Sequence, residues 1–159
     1  MTKKGIDLIK KFEGCKLSAY RCPAGIWTIG YGHINSVYQG QTITQYEADK
    51  MLENDVVKFE IGVRHLVGNL PDNKIDALTS FAFNLGLGAL KDSTLCKKVK
   101  ANADMKEICL EFMKWVNAGG RLLEGLVARR HAEAEMFSGR KIKLYRNKYN
   151  KKVDDIEFL

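Results

Sequence analysis

The sequence predicts an α+β domain that is mostly helical, with one small antiparallel β-sheet near the N-terminus. Three observations carry that prediction. Capped segments with helical spacing of apolar residues occupy the first turns of the chain and most of its second half. Residues 16 to 40 break that pattern, setting aromatic and β-branched side chains among glycines. No internal repeat or long linker divides the 159 residues, so 1–159 is read as a single domain.

Thr2 stands where a side chain can cap a helix over residues 3 to 13. At about 100° per residue, Ile6, Leu8, Ile9 and Phe12 share one arc, and Lys3, Lys4, Asp7, Lys10 and Lys11 fill the opposite one. Glu13 falls in the apolar arc, between Ile6 and Ile9. Either it lies beyond a frayed helix end and turns to solvent, or it is held against apolar surface, where desolvation keeps a carboxyl protonated as an acid. In residues 16 to 40, Tyr20, Ile26, Trp27, Ile29, Tyr31 and Val37 alternate with Pro23 and several glycines, a pattern of short strands and tight turns. Thr44 followed by Glu47 is a capping box for a helix to about residue 60. Pro71 and Asp72 open another, with Ile75, Leu78, Ala82 and Leu85 at helical spacing and Gly86 and Gly88 at its end. Met105, Ile108, Cys109, Phe112 and Val116 outline a helix stopped by Gly119 and Gly120, and Leu122, Leu123, Leu126 and Val127 mark a final one.

A hydrophobic content of 45% is enough for a genuine core. The cysteines Cys15, Cys22, Cys96 and Cys109 form no CxxC pair and no Cys/His group at zinc spacing, so reduced thiols and no structural metal are expected. Cys96 and Cys109 lie on apolar faces, where packing is the natural role. The opening residues show no apolar leader segment, and nothing approaches the roughly 20 apolar residues of a membrane span. Synthesis in the cytoplasm is therefore expected. The net charge of +7 admits nucleic acid, an anionic lipid surface or an acidic wall polymer as partner. More than half of that excess lies in Arg140–Leu159, which has seven Lys/Arg against three acids. The body is only mildly basic, which argues against nucleic acid. The basic extension 140–159 reads as a disordered tail, a strand-like cover or an anchor for anionic polymers or head groups.

Glu13, Cys22 and Thr28 suggest a chemistry together. Cleaving a glycosidic bond takes a proton for the leaving oxygen and a nucleophile at the anomeric carbon, usually from two carboxyl groups. Only one acid is evident here, since Asp7 is on the opposite helix face. A thiol and a hydroxyl at the mouth of a sheet can hold a water, leaving Glu13 as the strong acid. A thiol of ordinary pKa beside that acid is expected to be largely neutral near pH 7.

The run from Glu13 to His33, EGCKLSAYRCPAGIWTIGYGH, resembles the phage lysozymes of the T4-like class, lambdoid branch, which are glycoside hydrolases of family 24. Its spacing matches their signature of Glu, eight residues, Asp or Cys, five residues and Thr. SFAFNLGLGALKDSTL (80 to 95) and KWVNAGGRLLEGLVARRHAE (114 to 133) match as well, so the resemblance covers about residues 5 to 139. It implies a lysozyme-like fold with a cleft between sheet and helical lobe. It also implies a muramidase that hydrolyses the β-1,4 bond between N-acetylmuramic acid and N-acetylglucosamine with inversion, using no metal or cofactor. Glu13 takes the general-acid position, Cys22 the position of Asp or Cys, and Thr28 that of the residue placing the water. A covalent route through the Cys22 sulfur ranks below water attack. Ile34, Phe83 and Ser93 match sugar-contacting positions, although Phe83 equally suits a core. A contacting asparagine of the family falls near Cys109, which cannot replace it. His33 resembles a structural histidine bonded to a helix carboxylate.

The role so implied is bacterial cell-wall lysis for phage release by a monomer. It would act on peptidoglycan outside the inner membrane after passage through a holin-like pore. Two alternatives stay open: a non-catalytic protein that binds walls or polyanions, and a lytic transglycosylase.

Overall fold

Helix α1 (Lys3–Glu13) begins at the expected cap, with Thr2 Oγ1 accepting the Gly5 N–H at 3.2 Å. That is the first element of a computed structural model that describes residues 1–159. The Thr2 hydroxyl also donates to Asp76, which ties the helix start to the middle of the chain. Gly5 is required there, because a Cβ at that position would lie 2.5 Å from Asp76 Cγ. Strands β1 (Lys16–Arg21) and β2 (Trp27–Gly30) follow as an antiparallel hairpin in which Tyr20 faces Thr28 and Arg21 faces Trp27.

Thr44 caps α2 (Gln45–Val67), its hydroxyl accepting the Glu47 N–H at 3.1 Å. This helix runs past the expected end near residue 60 because it serves two cores. Ala48, Leu52 and Val56 pack with Ile9, Ile29 and Ile43 in a small cluster beside the hairpin. One end later, Val63 belongs to a larger cluster built around the next helix. That helix, α3 (Asp72–Leu85), is buried from Ile75 to Ala82 and forms the axis of the larger lobe. Phe81, Phe112 and Phe137 are all fully enclosed there, each worth roughly 1.5–3 kcal/mol of burial.

Several boundaries differ from the sequence reading. Gly86 does end α3, but Gly88 lies inside α4 (Leu87–Asp92), which is followed by α5 (Thr94–Lys100). Both are too short to display a periodic apolar stripe, so pattern alone did not mark them. Helix α6 (Met105–Phe112) stops before Val116. Gly119 and Gly120, at φ 58° and 75°, form the tight turn between β3 (Asn117–Ala118) and β4 (Arg121–Leu122) instead of terminating a helix. Leu122 and Leu123 consequently precede α7 (Glu124–Ser138).

The expectation of one sheet is corrected to three separate two-stranded hairpins. The third pairs β5 (Ile142–Arg146) with β6 (Val153–Phe158), within the basic tail. Ile142 and Ile156 are buried in the larger core, while the neighbouring lysines and acids face outward. The tail is thus a strand-like cover, and its apolar alternation was obscured by the charges between. The class remains α+β and mostly helical, with the β1/β2 hairpin near the N-terminus and the helical lobe beyond it.

Candidate active site

Glu13 is the last residue of α1, and its side chain retains 23% of its exposure. Arg129 of α7 reaches it, with Nη1 donating to Glu13 Oε1 at 2.6 Å, a charge-assisted hydrogen bond. The Arg129 side chain is 4% exposed, and its other nitrogens are also engaged. Nη2 donates to the Ser80 carbonyl at 3.2 Å and Nε to Glu133 Oε2 at 3.3 Å. Glu133 is wholly buried, accepts the Ser80 hydroxyl at 2.5 Å, and lies against Arg130, whose Nη2 donates to it at 3.3 Å. Burial pushes the Glu133 carboxyl up and the Arg130 guanidinium down, each opposed by the charge of the other.

This corrects the sequence reading of Glu13. It is neither turned to solvent beyond a frayed end nor faced by apolar surface alone. A guanidinium from the far end of the chain meets it. The helical wheel sensed that residue 13 faces inward but could not name the partner. A comparable anomaly was present in the third matching block: Arg129, Arg130 and Glu133 share the buried side of α7 with Val127, Ala134 and Phe137. Two cations and an acid among the core residues of one helix are the sequence signal of this network.

A cavity of about 310 Å³ opens beside Glu13, lined among others by Tyr31, His33, Ile34, Phe83 and Asn84. It therefore gathers Glu13, Ile34 and Phe83 from the expected set. Phe83 both lines the cavity and packs inward, meeting the Phe59 ring edge-on at 5.3 Å. His33 has the expected structural role: Nδ1 lies 2.8 Å from Asp55 Oδ2 on α2, and Nε2 lies 3.0 Å from the Asn35 carbonyl. Larger grooves of about 490 and 540 Å³ flank α1, but neither contains Glu13.

Ser93 is not brought to this cavity. It is 4% exposed and caps α5, with Oγ accepting the Cys96 N–H at 3.0 Å and donating to the Leu90 carbonyl at 2.6 Å. Cys22 and Thr28 are neighbours of one another in the β1/β2 hairpin, outside the cavity lining. The Thr28 side chain is buried, and its hydroxyl donates to the Ile26 carbonyl at 3.0 Å, the same carbonyl that accepts the Cys22 N–H. That hydroxyl has one proton, so it bonds either the carbonyl or the Cys22 sulfur at any moment. Hydrogen bonding from the Ile26 backbone, with smaller help from Ala24 and Thr28, lowers the Cys22 thiol from its ordinary pKa, against an opposing desolvation. The expectation of an ordinary, largely neutral thiol is revised in that direction. Cys96 and Cys109 are buried, as their apolar faces suggested, and all four cysteines are free.

The description "Phage lysozyme" belongs to a family model that matches residues 10–133. An endolysin of Bacillus phage B103 is 42% identical over 141 residues, covering 86% of this chain and 53% of its own length. The chain thus spans about half of that relative. An endolysin of Acyrthosiphon pisum secondary endosymbiont phage 1 is 39% identical over 142 residues and is 97% covered. Among solved structures, the muramidase domain of SpmX from Asticaccaulis excentricus superimposes with a TM-score of 0.80 at 34% identity, covering 86% of this chain and 95% of that one.

Proposed function

The chain belongs to the phage lysozyme family, and from that premise we propose that it is a muramidase that hydrolyses the β-1,4 bond between N-acetylmuramic acid and N-acetylglucosamine in peptidoglycan. The observation that carries this reading is Glu13 in the lining of a cavity of about 310 Å³, its carboxyl fixed by Arg129. Glu13 gives its proton to the leaving glycosidic oxygen. One of its oxygens is held by the guanidinium, which orients the other toward the cleft.

Water attacks the anomeric carbon from the opposite side, placed by Cys22 and Thr28, and the product is inverted. The lowered thiol pKa supports this assignment, because a sulfur with more thiolate character is a better acceptor for the water proton. In this mechanism a thiolate at Cys22 supplies negative charge to the oxocarbenium-like transition state. Thr28, next to the sulfur, shares its single proton between the turn and that site.

The same reading makes the chain a monomer that lyses the wall for phage release after passing through a holin-like membrane pore. Co-expression with and without a pore-forming partner tests the route. No helix is long and apolar enough to cross a membrane.

The principal test is a digest. Purified protein acting on peptidoglycan is expected to release muropeptides with hydrolysed reducing ends whose first anomer is inverted. Glu13→Gln is expected to lower the rate by about 100- to 10,000-fold while leaving the melting curve cooperative. Products with 1,6-anhydro ends would establish transglycosylation instead, and binding without cleavage would establish a non-catalytic wall protein. Retained configuration would revive the covalent thiol route.

A further inference from the structure

We infer that Asn84 is a specificity-determining residue, offering its side-chain N–H groups to the acetamido carbonyl of a sugar ring bound beside Glu13. The inference rests on the glycan-cleaving reading above. Asn84 is the penultimate residue of α3, is partly buried, and lines the cavity that contains Glu13. Its Oδ1 accepts from Arg130 Nη2 at 2.7 Å.

The direction of that bond settles which end of the amide faces the cleft. Arg130 is fully buried, and a guanidinium has donors only. Reversing the amide would set its NH₂ donors against the guanidinium donors, which neither group can accept. Inward Oδ1 and outward Nδ2 are therefore required by chemistry, independently of how the two atoms are told apart. Arg130 is itself immobilised. Its Nε lies 2.8 Å from Glu133 Oε1, Nη2 also donates to Glu133, and the guanidinium lies 5.1 Å over the Phe81 ring.

The Asn84 amide makes its one hydrogen bond within the protein through Oδ1. Its Nδ2 donors are thus free to meet whatever occupies the cavity. A fixed pair of donors discriminates best for a group that can only accept. Sugar hydroxyls both donate and accept, and many side chains satisfy them. The acetamido carbonyl accepts only, and a glycan of alternating N-acetylated sugars carries one on every ring. Phe83, which lines the same cavity, offers an apolar surface to the acetamido methyl.

The test compares native peptidoglycan with the same material after de-N-acetylation, using full-length protein. Wild type is expected to prefer the native wall. Asn84→Asp keeps an oxygen for Arg130 but turns the cleft-facing donor into an acceptor. It is expected to raise KM on the native wall by about tenfold, and to lose or reverse the preference, since a carboxylate favours the amines left by deacetylation. Asn84→Ala should lose the preference without reversing it, and supplies the same readout if the Asp variant does not fold. A variant that folds and keeps the wild-type preference overturns the inference. So does an equal loss on both walls, which would assign Asn84 a merely structural role. Wild type that cleaves neither wall would overturn the muramidase reading itself, which separates the two failures.

Discussion

Glu13 closes a helix and is held by a guanidinium 116 positions further along the chain, whereas Cys22 occupies a hairpin turn and is held by the backbone of that same turn. The first anchor is buried and shared by α1, α3 and α7. The second is local and partly exposed. Buried charges are costly to desolvate and tolerate no missing partner. A turn held by its own amides tolerates substitution. The acid is therefore coupled to the stability of the helical lobe, and the thiol is free to vary without disturbing it.

The most severe way to break that contrast is Glu133→Ala. It leaves Arg129 and Arg130 buried without their shared acid and is expected to destabilise the protein by about 3–5 kcal/mol, read from denaturant or thermal unfolding. A loss under about 1 kcal/mol would mean that the network behaves like a surface ion pair. Cys22 should behave in the opposite way. Cys22→Ala is expected to lower the wall-lytic kcat by about 10- to 100-fold with an unchanged melting midpoint, and Cys22→Asp to preserve activity. A substantial fall in the melting midpoint of Cys22→Ala would erase the difference between the two anchors.

The cysteines sharpen the comparison through pH. A lowered thiol pKa keeps thiolate populated at a lower pH, so alkylation of Cys22 should reach its half-maximal rate below the ordinary thiol range. Cys109, pushed up to about 12 by burial, should remain unlabelled in the native protein at that pH and react only after unfolding. Peptide mapping after timed labelling checks both. An ordinary midpoint for Cys22 would remove the support that its hydrogen bonds lend to the proposed mechanism. The smallest effect belongs to Ser93. If its hydroxyl caps α5 and touches no sugar, Ser93→Ala lowers stability by about 1 kcal/mol and leaves KM unchanged. An increase in KM would return Ser93 to the cleft.

Legibility in the sequence followed the range of the interactions involved. The caps at Thr2 and Thr44 depend on a side chain and an amide three residues away, so they were readable and lie where expected. The place of Glu13 in the apolar arc followed from helix periodicity, and the pairing of His33 with a helix carboxylate from the family resemblance. The two short helices α4 and α5 were not legible, and the tail hairpin was legible only as one of three readings of residues 140–159. The former are too short to carry a period, and the inward-facing Ile142 and Ile156 were masked by the lysines and acids between them. Ser93 lies outside the lining of the cavity, and alignment with a sugar-contacting position says nothing about whether its hydroxyl is already engaged.

The sequence by itself determined the mostly helical α+β class, the family, and the position of an acid in the apolar arc at the end of the first helix. These follow from spacing within one segment, which the covalent chain fixes. The tertiary structure alone decided what surrounds that acid. Arg129, Glu133, Ser80 and Asn84 are distant from Glu13 in the chain, and they meet because α3 and α7 pack side by side with buried charges that must be satisfied together. No local pattern encodes such a network. Its partners are selected by the desolvation cost of leaving any one of them alone.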